Sequence, residues 1–265
     1  MTTIANLQQA FTAGTDQPSA LASRQLKLAL DPAGEGVRVF LALSDEAIRV
    51  AATHADERFL AGGAAGPRAL EGITISIKDL FDVAGEVTTA GSTVLRSRAP
   101  ATADAPAVAR LRAAGAVLFG RTNMVEFAFS GVGINPHYGT PRNRWQREDA
   151  GGHVPGGSSS GAGVSVADGM CVAALGTDTG GSVRIPAAFN GLVGFKPTAF
   201  RVPVNGAVPL SFLHDSVGPL ANSVDCCARI DAVLAGEFFN PMPEKPAQQL
   251  RLLCPSGTLW NGLDA

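Results

Sequence analysis

The stretch AGVSVADG (residues 162–169), followed after one residue by CVAAL (171–175), decides the fold class. The first piece, built of small residues, predicts a helix, and the second, a short apolar run, predicts a buried strand. Upstream, strands are predicted over 73–77 and 116–119, with a helix over 105–114 between them. Strands that alternate with helices favour an α/β fold: an α/β/α sandwich whose mixed, mainly parallel central sheet carries helices on both faces.

More elements are predicted on either side of this core. Residues 4–30 have a helical pattern that breaks near Gly14 and Pro18, and Ser44 caps a helix that runs from Asp45 toward Leu60. The remaining predictions are strands over 37–43, 192–195 and 251–255, a short helix over 124–129, loops over 62–67 and 135–157, and the entry to a helix over 256–263.

Composition excludes several classes of protein. The 265 residues are 46% hydrophobic and carry a formal net charge of −2, without a run of Lys or Arg. This balance disfavours nucleic acid and anionic membrane as partners. Nowhere do 18 apolar residues follow one another, so no transmembrane helix is expected, and Met1–Asp16 lacks the pattern of a signal peptide.

The four cysteines predict neither a metal site nor a disulfide. Cys171, Cys226, Cys227 and Cys254 show no C-x-x-C spacing and no pairing with histidine. Buried free thiols in a reducing, cytoplasmic environment are the expectation. No cofactor and no metal are predicted.

Two segments are dense in glycine and hydroxyl residues: PGGSSSGA (155–162) and GTDTGGSVRIP (176–186). Each alone could be a tight turn, and neither has the ending of a phosphate-binding loop. The first also fits G-x-S-x-G, which would make Ser159 the nucleophile of an esterase elbow with His214 as its base. That elbow requires a buried strand directly before it, whereas the preceding residues are polar and broken by Gly and Pro.

Together with the upstream ISIKD (75–79), the two segments resemble the amidase signature family. The spacing between Ser158 and Ser182 fits the family pattern, and VGFKPT (193–198) and RTNMVEF (121–127) are also similar to it. The resemblance runs from about residue 5 to the C-terminus. This resemblance implies a single domain over 1–265, with N-terminal helices over 1–65 and a signature core over 66–200. Because members of the family are normally far longer, it also implies that the C-terminal part of the usual family domain is absent.

The resemblance implies a catalytic triad of Ser182 as nucleophile, Ser158 as proton relay and Lys78 as base. A cis peptide bond would precede Ser158. Lys78 must be neutral to accept a proton, which requires burial to lower its pKa. Backbone N–H groups of Thr179, Gly180, Gly181 and Ser182 would form the oxyanion hole. Phe129, Ser130 and Gly131 would line the substrate pocket.

Residues around the triad are assigned supporting roles. Asp178 and Arg184 flank the nucleophile and are interpreted as a structural charge pair. Ser159 and Ser160 are interpreted as hydrogen-bonding supports, and His137 as a plain loop residue.

The predicted function is that of an amidase, an amidohydrolase acting on linear amides, which cleaves a non-peptide carboxamide through an acyl-enzyme. Its partner would be a small-molecule amide substrate. One alternative is the glutaminase (A) subunit of a tRNA-dependent amidotransferase, which would assemble with partner subunits; a homo-oligomer is also open. An alternative of another class is a truncated, catalytically dead assembly module, in which Ser182 reacts with no acylating probe.

Overall fold

One mixed sheet forms the centre of the computed structural model, which describes residues 2–62, 66–148, 151–241, 246–251 and 256–257. Its strands are β1 Phe40–Ala42, β2 Thr74–Lys78, β3 Val117–Thr122, β4 Ala173–Asp178, β5 Val193–Gly194 and β6 Ser216–Ala221. They lie in the order β1-β3-β2-β4-β6-β5. The pairs β2–β3 and β2–β4 are parallel, and the others are antiparallel. Thus β2 to β5 share one direction and β1 and β6 run the other way, so the predicted mixed sheet is confirmed, with four of its six strands pointing the same way.

Helices cover both faces of this sheet. They are α1 Ile4–Thr12, α2 Pro18–Ala29, α3 Gly36–Val39, α4 Asp45–Ala61, α5 Pro106–Ala113, α6 Ser160–Ala167, α7 Arg184–Phe189 and α8 Val224–Ala235, with 3-10 turns at Glu126–Ala128 and Ala247–Gln249. One hydrophobic core joins α1, α5 and α8 to the sheet, and a second joins α2, α4, α6 and α7 to it. Within the described chain, no helix is long and apolar enough to cross a membrane.

Strand β4 shows why the two cores are separate. Successive side chains of a strand point to opposite faces. Accordingly Ala173 and Leu175 belong to the core under α1, α5 and α8, and Ala174 belongs to the core under α6 and α7. All six residues of β4 are buried, so its carboxyl end delivers the following loop to a site with little solvent.

Local capping explains where the main helices begin. The Ser44 hydroxyl accepts a hydrogen bond from the Ala47 N–H at 3.2 Å, which satisfies one of the free donors in the first turn of α4. The Ser223 hydroxyl does the same for α8, accepting from the Cys226 N–H at 3.1 Å. The predicted start of α4 is confirmed, as is the break between α1 and α2.

Several predicted elements differ from the structure. The strand predicted over 37–43 is wrong at its start, where α3 forms instead. The buried Glu35 directly precedes this helix and holds it through ion pairs with Arg38 and Arg142. The helix predicted over 124–129 shrinks to a 3-10 turn, because Phe127 adopts a φ of 50°. All but Arg251 of the strand over 251–255 and most of the helix entry over 256–263 lie outside the described residues, as do positions 63–65 of the loop over 62–67 and 149–150 of the loop over 135–157.

Candidate active site

Lys78 is the last residue of β2 and is fully buried. Its Nζ donates to the Ser158 Oγ at 2.8 Å and to the Thr177 Oγ1 at 3.0 Å. Burial lowers the pKa of Lys78 to about 7, against the opposing effect of the Asp178 and Asp215 carboxylates. Since a lysine in water has a pKa near 10.4, this site makes a neutral amine available near neutral pH.

The loop that carries Ser158 is held by close backbone contacts. The Gly157–Ser158 peptide bond is cis, as the resemblance implied. The Gly157 N–H donates to the Gly131 carbonyl at 2.7 Å, and the Ser158 carbonyl accepts from the Val125 N–H at 3.0 Å. A Cβ at Gly157 would lie 2.7 Å from the backbone nitrogen of Gly133, so only glycine fits there. These contacts fix the Ser158 hydroxyl against Lys78.

Ser182 lies on the glycine-rich loop that leaves β4. It is 7% exposed, whereas Ser158 is 0% exposed, so both residues are buried and Ser182 lies nearer to the surface. The Ser159 N–H donates to the Ser182 carbonyl at 3.3 Å and thereby joins the two serine loops. The structure thus brings Lys78, Ser158 and Ser182 to one region at the carboxyl ends of β2 and β4.

Asp178 organises the chain around Ser182. Its carboxylate accepts from the backbone N–H groups of Gly181 at 2.9 Å, Val183 at 3.1 Å and Arg184 at 3.2 Å. The Arg184 guanidinium donates to both carboxylate oxygens, at 2.9 and 3.0 Å, which confirms the predicted charge pair. Burial alone would raise the pKa of Asp178, but the hydrogen bonds from Arg184 and the backbone outweigh it and hold the pKa below its usual value.

The backbone donors predicted for an oxyanion hole are not equivalent. The Gly181 N–H donates to the Asp178 carboxylate at 2.9 Å and so already has a hydrogen-bond acceptor; its part in an oxyanion hole stays a prediction. Gly180 is exposed and has no neighbouring atom within 4 Å of the position of a Cβ. The Thr179 hydroxyl donates to the Asp215 carboxylate at 2.5 Å. The candidate donors that remain are the N–H groups of Thr179, Gly180 and Ser182.

The segment predicted to line a substrate pocket lies beside both serine loops. The Gly131 carbonyl holds Gly157, and a Cβ at Gly131 would lie 3.0 Å from Ile185, three residues after Ser182. Phe129 is 83% exposed, and the Ser130 hydroxyl accepts from the Val132 N–H at 3.2 Å. Contact of this segment with a substrate stays a prediction.

The esterase elbow at Ser159 lacks its structural basis. The described residues 151–157 before it contain no strand. Ser159 is fully buried, and within the described chain its hydroxyl has no hydrogen-bond partner, so its side chain is not the hydrogen-bonding support that was expected. A nucleophile must reach its substrate, so this geometry argues against Ser159.

His137, interpreted as a plain loop residue, instead binds the Glu126 carboxylate at 3.0 Å.

Sequence reasoning missed two residues of this site. Thr177 accepts a hydrogen bond from Lys78, and a signal for it existed, because it sits in the quoted segment one residue before Asp178. Asp215 reaches Thr179 through the antiparallel pairing of β4 with β6, which sets Asp178 opposite Ser216. No local pattern around Asp215 indicates this contact.

The fold and this cluster define a class of α/β protein. In this class a buried lysine is hydrogen-bonded to a buried serine at the carboxyl ends of the parallel strands of a mixed sheet. Residues 30–251 match the family model described as Amidase. The chain belongs to the amidase signature family.

Relatives of known structure and name agree with this family. The chain is 43% identical over 219 residues to a 2-amino-5-chloromuconic acid deaminase of Comamonas testosteroni, covering 82% of this chain and 46% of that protein. It is 41% identical over 240 residues to the glutamyl-tRNA(Gln) amidotransferase A-subunit of Anaeromyxobacter dehalogenans, covering 85% and 47%. The peptide amidase of Stenotrophomonas maltophilia superposes with a TM-score of 0.80 at 35% identity, covering 92% and 51%. The chain spans about half the length of the relatives it matches.

Proposed function

We propose that this site hydrolyses a non-peptide carboxamide through an acyl-enzyme on Ser182. The Ser182 Oγ attacks the amide carbonyl carbon while its proton passes to Ser158 and the Ser158 proton passes to Lys78. The C–N bond then breaks, and the proton held by Lys78 goes to the leaving nitrogen. Water cleaves the resulting ester, releasing a carboxylate and returning the proton to Ser182.

The observation that carries this proposal is the 2.8 Å hydrogen bond from Lys78 to Ser158 in a fully buried site. A charged lysine could only donate to the relay, whereas a lysine whose pKa lies about 7 can accept from it. The slightly greater exposure of Ser182 supports that residue rather than Ser158 as the nucleophile. The N–H groups of Thr179, Gly180 and Ser182 would stabilise the oxyanion.

Labelling with a fluorophosphonate tests this proposal without knowledge of the substrate. Mass spectrometry of the treated full chain should place the modification on Ser182, and Lys78→Ala should abolish it. Lys27→Ala, a change at an exposed lysine of α2, is the matched control and should label like the wild type. Modification of Ser159, or labelling that survives Lys78→Ala, would contradict the proposed triad.

A second candidate function is the glutaminase component of a tRNA-dependent amidotransferase. The likeness to the Anaeromyxobacter amidotransferase favours it. Glutamine hydrolysis that appears only with tRNA and a partner subunit would select this function over a free-standing amidase. The remaining alternative is a catalytically dead assembly module, and it predicts a folded chain whose Ser182 is never labelled.

A further inference from the structure

Asp215 stands immediately before β6 and faces the loop of the proposed nucleophile. The pairing of β4 with β6 sets Asp178 opposite Ser216, so the residue before Ser216 lies beside the residue after Asp178. The Asp215 carboxylate accepts from the Thr179 hydroxyl at 2.5 Å. A hydroxyl bonded to a carboxylate at this distance belongs to the stronger class of hydrogen bonds.

The Asp215 carboxylate is also fixed to its own loop. Its carboxylate accepts from the N–H of Leu210 at 2.9 Å and from the N–H of Ser211 at 3.1 Å. The carboxylate therefore has a set orientation and offers Thr179 a rigid acceptor. This arrangement ties the start of the nucleophile loop to a separate part of the chain.

The nucleophile loop depends on such anchors. Gly180 has no atom within 4 Å of the position of a Cβ, and Gly181 adopts a φ of +126°. Glycine has no side chain that could pack against its surroundings, so the backbone there can move unless other contacts hold it. Asp178 holds the loop from Gly181 onward, and Asp215 holds it at Thr179.

We propose that Asp215 is a positioning residue that fixes Thr179, and with it the backbone N–H groups of Thr179 and Gly180, for stabilisation of the oxyanion. This inference rests on the proposed function, because an oxyanion forms only if Ser182 attacks a carbonyl or an equivalent electrophile. Preorganised donors lose catalytic value when the backbone that carries them can move.

The negative charge of Asp215 predicts a second measurable effect, on the pKa of Lys78. Two carboxylates, Asp178 of β4 and Asp215, oppose the effect of burial on the pKa of Lys78. Asp79, the next residue after Lys78, forms an ion pair with Arg121. Replacing Asp215 by a neutral residue removes a charge that favours protonated Lys78, so the pKa of Lys78 should fall.

The test is the inactivation kinetics of the full chain with a fluorophosphonate, followed from pH 5 to pH 9. Thr179→Val removes the hydroxyl and should lower kinact roughly tenfold, with little change in KI and an unmoved acid limb. Asp215→Asn should lower kinact by a similar factor and shift the acid limb to lower pH. Thr179→Ser keeps a hydroxyl and should restore kinact to within about threefold of the wild type.

The control is Asp225→Asn, whose partner Arg229 lies on the surface of α8, and it should behave like the wild type. Wild-type kinact in both Thr179→Val and Asp215→Asn would overturn the positioning role while leaving the proposed function intact. A rise in KI alone would also overturn it and would make Asp215 a substrate-binding residue. If the wild type is not labelled at Ser182, the proposed function fails, and the inference fails with it.

Discussion

The two serine loops are held in place by different forces. The relay loop, residues 155–158, is fixed by backbone packing: a Cβ at Gly157 would lie 2.7 Å from the Gly133 nitrogen, and one at Gly133 would lie 2.5 Å from the Gly156 carbonyl oxygen. The nucleophile loop, residues 178–182, has open space around Gly180 and is held by the carboxylates of Asp178 and Asp215. The relay should therefore respond to changes in size, and the nucleophile loop to changes in charge.

The largest effect is expected at the buried carboxylate of the nucleophile loop. Asp178→Asn removes the negative charge that pairs with Arg184 and places an amide donor among three backbone N–H donors. The free energy of unfolding should fall by about 3 kcal/mol, and labelling of Ser182 should be lost. Urea denaturation measures the first and mass spectrometry the second.

Asp225→Asn is the matched control for that experiment, because it removes the charge of an exposed aspartate. Its side chain is 47% exposed and pairs with Arg229 on α8, so its loss should cost less than about 0.5 kcal/mol. Equal losses in the two variants would mean that the nucleophile loop is not held by charge, and the contrast between the loops would disappear.

Gly157→Ala tests the relay loop by adding a methyl group without changing any charge. The added methyl meets the Gly133 backbone, which cannot move aside as a flexible side chain can. We expect a loss of about 1–3 kcal/mol in the free energy of unfolding, together with a fall in the rate of Ser182 labelling. Gly34→Ala, where a Cβ meets its nearest neighbour at 3.4 Å, is the matched control. A Gly157→Ala protein as stable as that control would refute steric locking.

The smallest effect is expected from the same substitution in the other loop. Gly180→Ala places its methyl in open space, so the free energy of unfolding should change by less than about 1 kcal/mol. The labelling rate should fall less than in Gly157→Ala, because the backbone N–H of residue 180 is retained. Thermal unfolding and labelling of the two alanine variants side by side would check this order.

Much of the sheet could be predicted because its signals are local. The apolar runs of β2, β3 and β4 and the cap at Ser44 depend on neighbouring residues. Strand β6 was not predicted, because Gly218 and Pro219 in SVGPLA (216–221) are typical of turns. It forms because pairing with β4 and β5 on its two sides buries all six of its residues. Helix α3 likewise depends on Glu35 binding Arg142, a residue far along the chain.

The site, like the fold, has a part that could be predicted from the sequence and a part that could not. The resemblance singled out Lys78 and Ser158, and the structure places them in contact. Their roles, and that of Ser182, stay predictions. The resemblance could not reveal that the Gly181 N–H is bound to Asp178 or that Asp215 holds Thr179, since both facts depend on how the loop folds back after β4.

The pH dependence of Ser182 labelling tests the central claim most directly. If neutral Lys78 accepts the proton, the labelling rate should rise with pH, with a midpoint near the Lys78 pKa of about 7, and then reach a plateau. Acidification should suppress labelling because it protonates the base. A rate that is independent of pH between 5 and 9 in a folded chain, or a midpoint near the ordinary lysine value of about 10.4, would contradict the role proposed for Lys78.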